Sequence, residues 1–136
     1  MGVCVQCGRK SMYMSYGTFD RFRVKIAKAF DNKFGETYEK WLFTYPCSKE
    51  ERIALDNDFS DVCNSTPELT QELFEFFVAS DCEGKINRDT VRQLVPIVEK
   101  MDEFTLGYVG VEPYNKQETL EFFRHSIRYG ANVTWD

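Results

Sequence analysis

Five helix-start signals divide this chain and constrain its fold more than any other feature. In each, a short polar residue precedes a segment whose apolar residues recur every three or four positions. These capping residues are Thr18, Ser48, Thr66, Asn87 and Asn115. After Ser48 and Asn115 a glutamate follows at the third position, which completes a capping box. The pattern predicts a mainly α fold of four to six helices in a single domain over residues 1–136.

The helix ends are predicted from glycine, proline and the last periodic residue. The helices are expected over about 18–33, 49–63, 67–79, 88–101 and 116–129. Gly35 should stop the first helix, and Pro96 should kink or locally break the fourth. Segment 67–79 is apolar over more than half of its circumference, which is typical of a buried central helix. Residues 36–46 are bulky and their secondary structure is ambiguous.

A β-hairpin is predicted at the N-terminus. Residues 3–7 and 12–16 are rich in β-forming side chains and flank Gly8-Arg9-Lys10. A second irregular segment, 103–114, holds glycines and a proline among apolar residues, which is typical of a loop with a short strand. The fold is therefore expected to be mainly helical with a minor β part.

Five cysteines without an export signal favour reduced thiols and a cytoplasmic protein. Cys4 and Cys7 have the spacing of half a zinc site, but no second pair follows. Their odd separation also puts them on opposite faces of a strand. No apolar run approaches the roughly 18 residues that a membrane-spanning helix needs. We therefore expect no resident metal, no cofactor and no membrane contact.

Charge is distributed unevenly along the chain. The net charge is −5, yet residues 1–33 hold seven basic and two acidic residues, so the remainder carries −10. An acidic protein is a poor nucleic-acid binder, but a basic face on it can receive an anionic ligand or partner. The residues expected to form this binding face are Arg9, Lys10, Tyr16, Arg21, Arg23, Lys25 and Lys28.

Arg23 differs from the other basic residues of this face. On a helical wheel it lies between Phe30 and Phe34, inside the apolar stripe, whereas Arg21 and Lys25 lie on the opposite face. Its guanidinium either reaches the rim of the core or meets a carboxylate. In the second case we expect Asp81 or Glu83 to be the partner.

Residues 79–90 imitate the calcium loop of an EF-hand. With Gly84 as the sixth position, Asp81 and Glu83 occupy ligand positions three and five. Ala79 and Thr90 stand at positions one and twelve, where calcium needs carboxylates. The sequence predicts an EF-hand-like helix-loop-helix without calcium. Its structural loop consists of Asp81, Cys82, Glu83 and Gly84.

Two short islands of sequence are similar to a known family. The motif Ser15-Tyr16-x-x-Phe19-x-x-Phe22-Arg23 and the loop 80–84, Ser-Asp-Cys-Glu-Gly, resemble a family of small uncharacterised bacterial and phage proteins. That family carries Asp where this chain has Glu83. The resemblance covers about 15 residues. It implies a shared helical fold and brings no established activity.

Recognisable catalytic patterns are sparse. There is no glycine-rich phosphate loop and no nucleophile-elbow motif. We expect a non-catalytic binding or inhibitor protein, of the kind that phages and mobile elements encode. It would sequester an anionic small molecule such as a nucleotide-type signal, or block a host protein. The alternatives are a small hydrolase or transferase that uses Cys82 and His125 with Asp81 and Glu83, or a structural EF-like module without a ligand.

An aromatic pair on the last predicted helix suggests a contact between copies. Phe122 and Tyr129 are seven residues apart, on a different side from the apolar stripe of that helix. If both are exposed, they favour a homo-oligomer. The alternative is that residues 103–114 or the tail around Trp135 cover them.

Overall fold

The computed structural model describes residues 2–108, 110 and 112–136. Within these residues the helices are α1 (Tyr16–Phe30), α2 (Asn32–Phe43), α3 (Lys49–Asn64), α4 (Gln71–Val78), α5 (Arg88–Lys100) and α6 (Lys116–Tyr129). The strands of the same residues are β1 (Gly2–Cys7), β2 (Lys10–Ser15), β3 (Gly84–Ile86), β4 (Thr105–Leu106), β5 (Tyr114–Asn115) and β6 (Val133–Trp135). The predicted mainly helical fold with an N-terminal hairpin is confirmed.

The hairpin belongs to a larger sheet than the sequence predicts. β1 and β2 pair antiparallel through a two-residue turn in which Gly8 has a φ of 60°, a conformation that favours glycine. β6 pairs with β1 and β3 pairs with β6, so the strand order is β2-β1-β6-β3. β3 and β6 have three residues each, which is too short for a recognisable alternation.

One face of this sheet covers the core. Val3, Val5 and Cys7 of β1 are buried, whereas Gln6 is exposed and Cys4 is partly exposed. Cys4 and Cys7 therefore point to opposite faces, as their odd separation predicts. The geometry prevents them from sharing a metal ion.

The first predicted helix is two helices, so the prediction of one helix ended by Gly35 is wrong. The backbone is extended at Asp31, whose side chain accepts a hydrogen bond from the Phe34 amide at 2.9 Å and begins α2. Gly35 lies inside α2 and is buried against the backbone of Lys28. A methyl group there would overlap Lys28. The glycine therefore lets α1 and α2 approach closely.

The helix predicted from Thr66 begins later than expected. The Thr66 hydroxyl donates to the Val62 carbonyl at 2.7 Å and so closes α3. α4 begins only after Thr70, whose side chain accepts from the Leu73 amide. α4 buries Leu73, Phe76 and Phe77 as predicted for a central helix, but its last residue, Val78, is exposed.

The start of the first helix predicted at Thr18 is wrong, because Ser15 is the capping residue. Its side chain accepts a hydrogen bond from the Thr18 amide at 3.0 Å, and α1 begins at Tyr16.

The other boundaries follow the local signals. Asn87 caps α5, which continues through Pro96. Asn115 and Glu118 form the predicted capping box of α6, and Gly130 ends that helix with a φ of 68°. The irregular segment 103–114 contains β4 and Tyr114, the first residue of β5, with which β4 pairs. Val109 lies outside the described residues.

Aromatic rings from several helices form much of the core. The Phe34 ring lies 5.3 Å from Phe77 and 6.1 Å from Tyr38, centroid to centroid, which joins α2 to α4. Trp135 of β6 packs on Phe19 of α1 and Phe76 of α4, so the sheet and the helices share this core. Among the helices of the described residues, none is long and apolar enough to cross a lipid bilayer.

Candidate functional site

The predicted basic face is divided between separate parts of the structure. Arg9 and Lys10 are exposed at the hairpin turn, and Lys10 shares a small cleft with Glu118 and Glu121 of α6. The two glutamates beside Lys10 make this cleft a poor site for an anion. Tyr16, at the start of α1, is only half-buried and packs against the core.

Exposed basic residues on α1 continue toward a second, larger cleft. Arg21 and Lys25 are exposed, and Lys28 is partly exposed. The Lys28 ammonium lies 2.9 Å from the Glu39 carboxylate. Because both partners are well solvated, this ion pair is weak and leaves Lys28 able to take another anion.

The larger cleft lies between α1 and the carboxyl end of α5. Its volume is about 470 Å³, within the range of small-molecule sites. Lys25 and Lys28 contribute ammonium groups from α1, and Lys100 contributes one from α5. The rest of the lining consists of Ala29, Met101, Asp102, Glu103 and Phe104. The cleft therefore combines lysines with apolar surface, and it also carries two carboxylates.

A fourth lysine offsets the negative end of α5 beside this cleft. The Lys116 ammonium donates to the carbonyl oxygens of Glu99 at 2.9 Å and Met101 at 2.6 Å. The Lys116 amide donates to Glu103 Oε1 at 3.1 Å. These bonds satisfy carbonyl groups at a helix end that would otherwise repel an anion, and they engage one of the two carboxylates.

Arg23 is not part of an accessible binding face. Its side chain is 1% exposed, and Nη1 donates to the carbonyl oxygens of Phe76, Phe77 and Ala79 at 3.2, 3.4 and 2.6 Å. Nη2 lies 2.8 Å from Asp20 Oδ1. The rim position is thus wrong, and the paired carboxylate is Asp20 rather than Asp81 or Glu83. Arg23 caps the carboxyl end of α4 and attaches it to α1.

Polar groups around Arg23 have shifted pKa values. Burial raises the pKa of Asp20, Arg23 opposes the rise, and the Asp81 carboxyl within hydrogen-bonding reach adds to it. Burial also raises the pKa of Tyr38, whose hydroxyl donates to the Phe77 carbonyl at 2.7 Å. The network is a structural joint between α1, α2 and the end of α4.

The loop after α4 is held by contacts with Trp135. A methyl group on Gly84 would overlap the indole of Trp135, whose Nε1 donates to the Ser80 carbonyl at 2.8 Å. Gly84 is therefore required by this close contact, and its backbone does not adopt the left-handed region. Asp81 accepts from the Cys82 thiol at 3.3 Å. Across the described residues no group of three or more His, Cys, Asp or Glu could hold a metal ion.

The structure separates Cys82 from His125. The His125 ring lies 4.6 Å from that of Tyr129, centroid to centroid, and beside Gly8, next to the end of β6 that begins with Val133. Cys82 precedes Gly84, which pairs with Trp135 at the opposite end of that strand. Asp81 raises the pKa of the Cys82 thiol, which disfavours the nucleophilic thiolate. The Cys–His pair of the catalytic alternative is not formed.

The aromatic pair on α6 does not form an exposed patch. Phe122 is 3% exposed, and its ring lies edge-on to that of Phe123, so the alternative in which both aromatic residues are exposed is wrong. It lies beside Met12 of β2 and Tyr114. Tyr129 is 63% exposed and remains at the surface. Both the hairpin and the end of the segment 103–114 therefore lie beside Phe122, which agrees with the first of the two alternative covers.

The sequence prediction missed Lys100, which lines the cleft, and Lys116, which lies beside it. Lys100 stands in the last turn of α5, a position that basic residues favour because of the helix dipole. That signal indicates a helix end but no ligand, since the approach of α1 to α5 is a tertiary feature.

Comparison of the chain with protein-family models, with curated proteins and with solved structures gave no match.

Proposed function

We propose that this protein is a non-catalytic binding protein that holds an anionic small molecule in the cleft between α1 and α5. The observation that supports this most is the convergence of Lys25, Lys28 and Lys100 on one concave, partly apolar surface. A nucleotide-type anion fits this chemistry, because its phosphate would face the ammonium groups and its base the apolar residues.

The position of the charges favours a small ligand over a broad partner surface. Lys10 shares a cleft with Glu118 and Glu121 of α6, and this cleft shares no lining residue with the one that holds Lys25 and Lys100. A protein partner that recognised the whole basic face would have to span both places. A compact anion needs only the α1–α5 cleft.

We expect the protein to act by sequestering its ligand. With Cys82 and His125 at opposite ends of β6, the protein would act by retaining its ligand, in the manner of inhibitors from phages and mobile elements. Each of the five cysteines is a free thiol in the part of the chain that the structure describes. This supports a reducing, cytoplasmic setting.

Equilibrium dialysis with AMP tests the proposal. Replacement of Lys25 and Lys100 together by Gln should weaken AMP binding by about tenfold or more, since two charge-assisted contacts are lost. The matched control replaces Lys33 and Lys40 by Gln, two lysines that line a different cleft beside Asp58 and Asp61. Equal losses in both variants would mean that AMP responds only to overall charge, and the proposed site would be wrong.

A salt series adds a second readout. Wild-type binding should weaken as NaCl rises from 50 to 300 mM, because exposed charges are screened over about 10 Å at 0.1 M. Adenosine, which has the same base without the phosphate, should bind at least about tenfold more weakly than AMP. If adenosine binds as tightly as AMP, the lysines do not contribute to recognition of the AMP phosphate.

A further inference from the structure

A second groove lies between α3 and α4, with Trp41 of α2 at its base, apart from the proposed anion site. Its volume is about 480 Å³. Trp41 and Phe59 stack with ring centroids 4.5 Å apart, and Phe74 lies 6.4 Å from Phe59. These rings all line the groove. The remaining lining residues are Asp56, Ser60, Cys63, Asn64 and Val78. The groove is therefore aromatic at its base and polar along α3.

The packing of the helices explains why the groove is open. α3 buries Leu55, Phe59 and Val62, and it packs mainly on α2. It touches α4 only sparsely, so the two helices diverge. Val78 remains 37% exposed at the last turn of α4. An aromatic groove between two helices is a surface onto which a further helix can pack.

The net charge of the two helices beside the groove favours a basic partner. α3 and α4 together hold seven acidic and two basic residues, a balance of −5. Asp58 and Asp61 line a different cleft with Lys33 and Lys40, and five acidic residues against two basic ones remain on the two helices. Of these five, Asp56 lines the groove itself, where it is paired with Arg52 at 2.7 Å. An acidic partner would be repelled by these walls, and a basic one attracted.

We infer that this groove is the docking site for a basic amphipathic α-helix of a partner protein. The apolar side chains of that helix would contact Trp41, Phe59 and Phe74, and its basic residues would face the acidic surfaces of α3 and α4. A second copy of this chain does not offer such a helix. Its basic helix, α1, already buries Phe19, Phe22 and Ile26 in the core.

The first test uses a fluorescein-labelled 18-residue peptide of leucine and lysine with helical amphipathic spacing. We expect it to raise the fluorescence anisotropy on binding, and a matched leucine and glutamate peptide to bind at least tenfold more weakly. Val78→Lys should weaken binding about tenfold or more, because it places a charge in the groove. The control is Ile53→Lys, since Ile53 is an exposed aliphatic residue of α3 that does not line the groove. It should change binding by less than about twofold.

The second test uses the unmodified chain and so does not depend on a variant that folds. Cys63 lines the groove, whereas Cys47 is exposed before α3. Saturation with the lysine peptide should slow alkylation of Cys63 by N-ethylmaleimide several-fold and leave Cys47 unchanged, as followed by mass spectrometry.

Several results would overturn the inference. Unchanged Cys63 alkylation under saturating peptide would place the peptide elsewhere. Equal losses in Val78→Lys and Ile53→Lys would show that binding does not depend on the groove. Equal binding of both peptides would show that the groove has no preference for a basic helix. A dimer in analytical ultracentrifugation that Val78→Lys dissociates would assign the groove to a second copy. None of these outcomes involves AMP, so the proposed anion site stands or falls separately.

Discussion

The guanidinium of Arg23 lies 2.6 Å from the carbonyl oxygen of Ala79, across 56 residues of sequence. This bond fixes the end of α4 on α1, and it orients the loop that leads to β3. The loop is held from its other side by Trp135, which bonds Ser80. A single buried side chain thus connects the N-terminal third of the chain to its centre.

Arg23→Ala should be strongly destabilising. The substitution leaves Asp20 without its partner and exposes unpaired carbonyl groups at the end of α4 within the core. We expect a loss of about 3–5 kcal/mol in the free energy of unfolding. Arg21→Ala, on the exposed face of the same helix, should stay within about ±0.5 kcal/mol. Urea unfolding of both variants measures this, and similar small losses would mean that the Arg23 network contributes little.

How much the sequence predicts depends on whether a signal is local. Ser48, Asn87 and Asn115 cap helices as predicted, because each bonds an amide three residues away. Gly35 does not end a helix, and only its contact with Lys28 of α1 explains why a glycine stands there. The same holds for β6, which becomes a strand by insertion between β1 and β3.

The candidate site also combines residues that a local pattern predicts with residues that only the tertiary structure brings in. Lys25 and Lys28 are predictable as exposed positions on an amphipathic helix, and both line the cleft. Lys100 and Lys116 come from distant segments, and no local pattern connects them to α1. The wheel position of Arg23 marks it as unusual, but its partners are mostly backbone carbonyls, which have no sequence signature.

Asp81→Asn should change the pH dependence of stability. The neighbouring Asp81 carboxyl contributes to the raised pKa of Asp20. An acid with a raised folded-state pKa binds more protons when folded, so its contribution to stability falls as pH rises from the ordinary value near 3.9 through the folded pKa. Removal of the Asp81 charge should therefore stabilise the protein at pH 7 by on the order of 0.5–1 kcal/mol, and by less at pH 3.

Asp56→Asn provides the control of opposite sign. Hydrogen bonds from Arg52 and Trp41 lower the pKa of Asp56, so its stabilising effect is present above the ordinary pKa and is lost as pH falls. This variant should lose stability at neutral pH and approach wild type in acid. Urea unfolding at pH 3, 5 and 7 distinguishes the two. A loss at pH 7 for Asp81→Asn would contradict the repulsion between Asp20 and Asp81.

Gly84→Ala should destabilise the protein through steric overlap. The added methyl group would meet the Trp135 indole, which is buried and bonded to Ser80. We expect a loss of about 1–3 kcal/mol in the free energy of unfolding. Gly17→Ala, in the first turn of α1, meets only the Arg21 side chain at 3.7 Å and should be neutral or stabilising. Thermal unfolding of the pair checks the contact, and equal effects would argue against it.

Calcium should not bind to the loop between α4 and α5. Ala79 and Thr90 supply no carboxylate at the positions where calcium needs one, and Gly84 serves the contact with Trp135. Calorimetric titration at about 100 μM protein should show no heat of binding. A dissociation constant tighter than about 1 mM, the weak end of calcium modules, would contradict this account.

Binding of AMP in parallel variants tests the central claim most directly. The triple variant Lys25→Gln, Lys28→Gln, Lys100→Gln should bind AMP at least about tenfold more weakly than wild type, since its ammonium groups are gone. Cys82→Ala and His125→Ala should bind as wild type, because these residues lie away from the cleft. AMP recovered by chromatography after incubation with wild type should be unchanged. Retained binding in the triple variant, or conversion of AMP that either single substitution abolishes, would contradict a non-catalytic anion-binding protein.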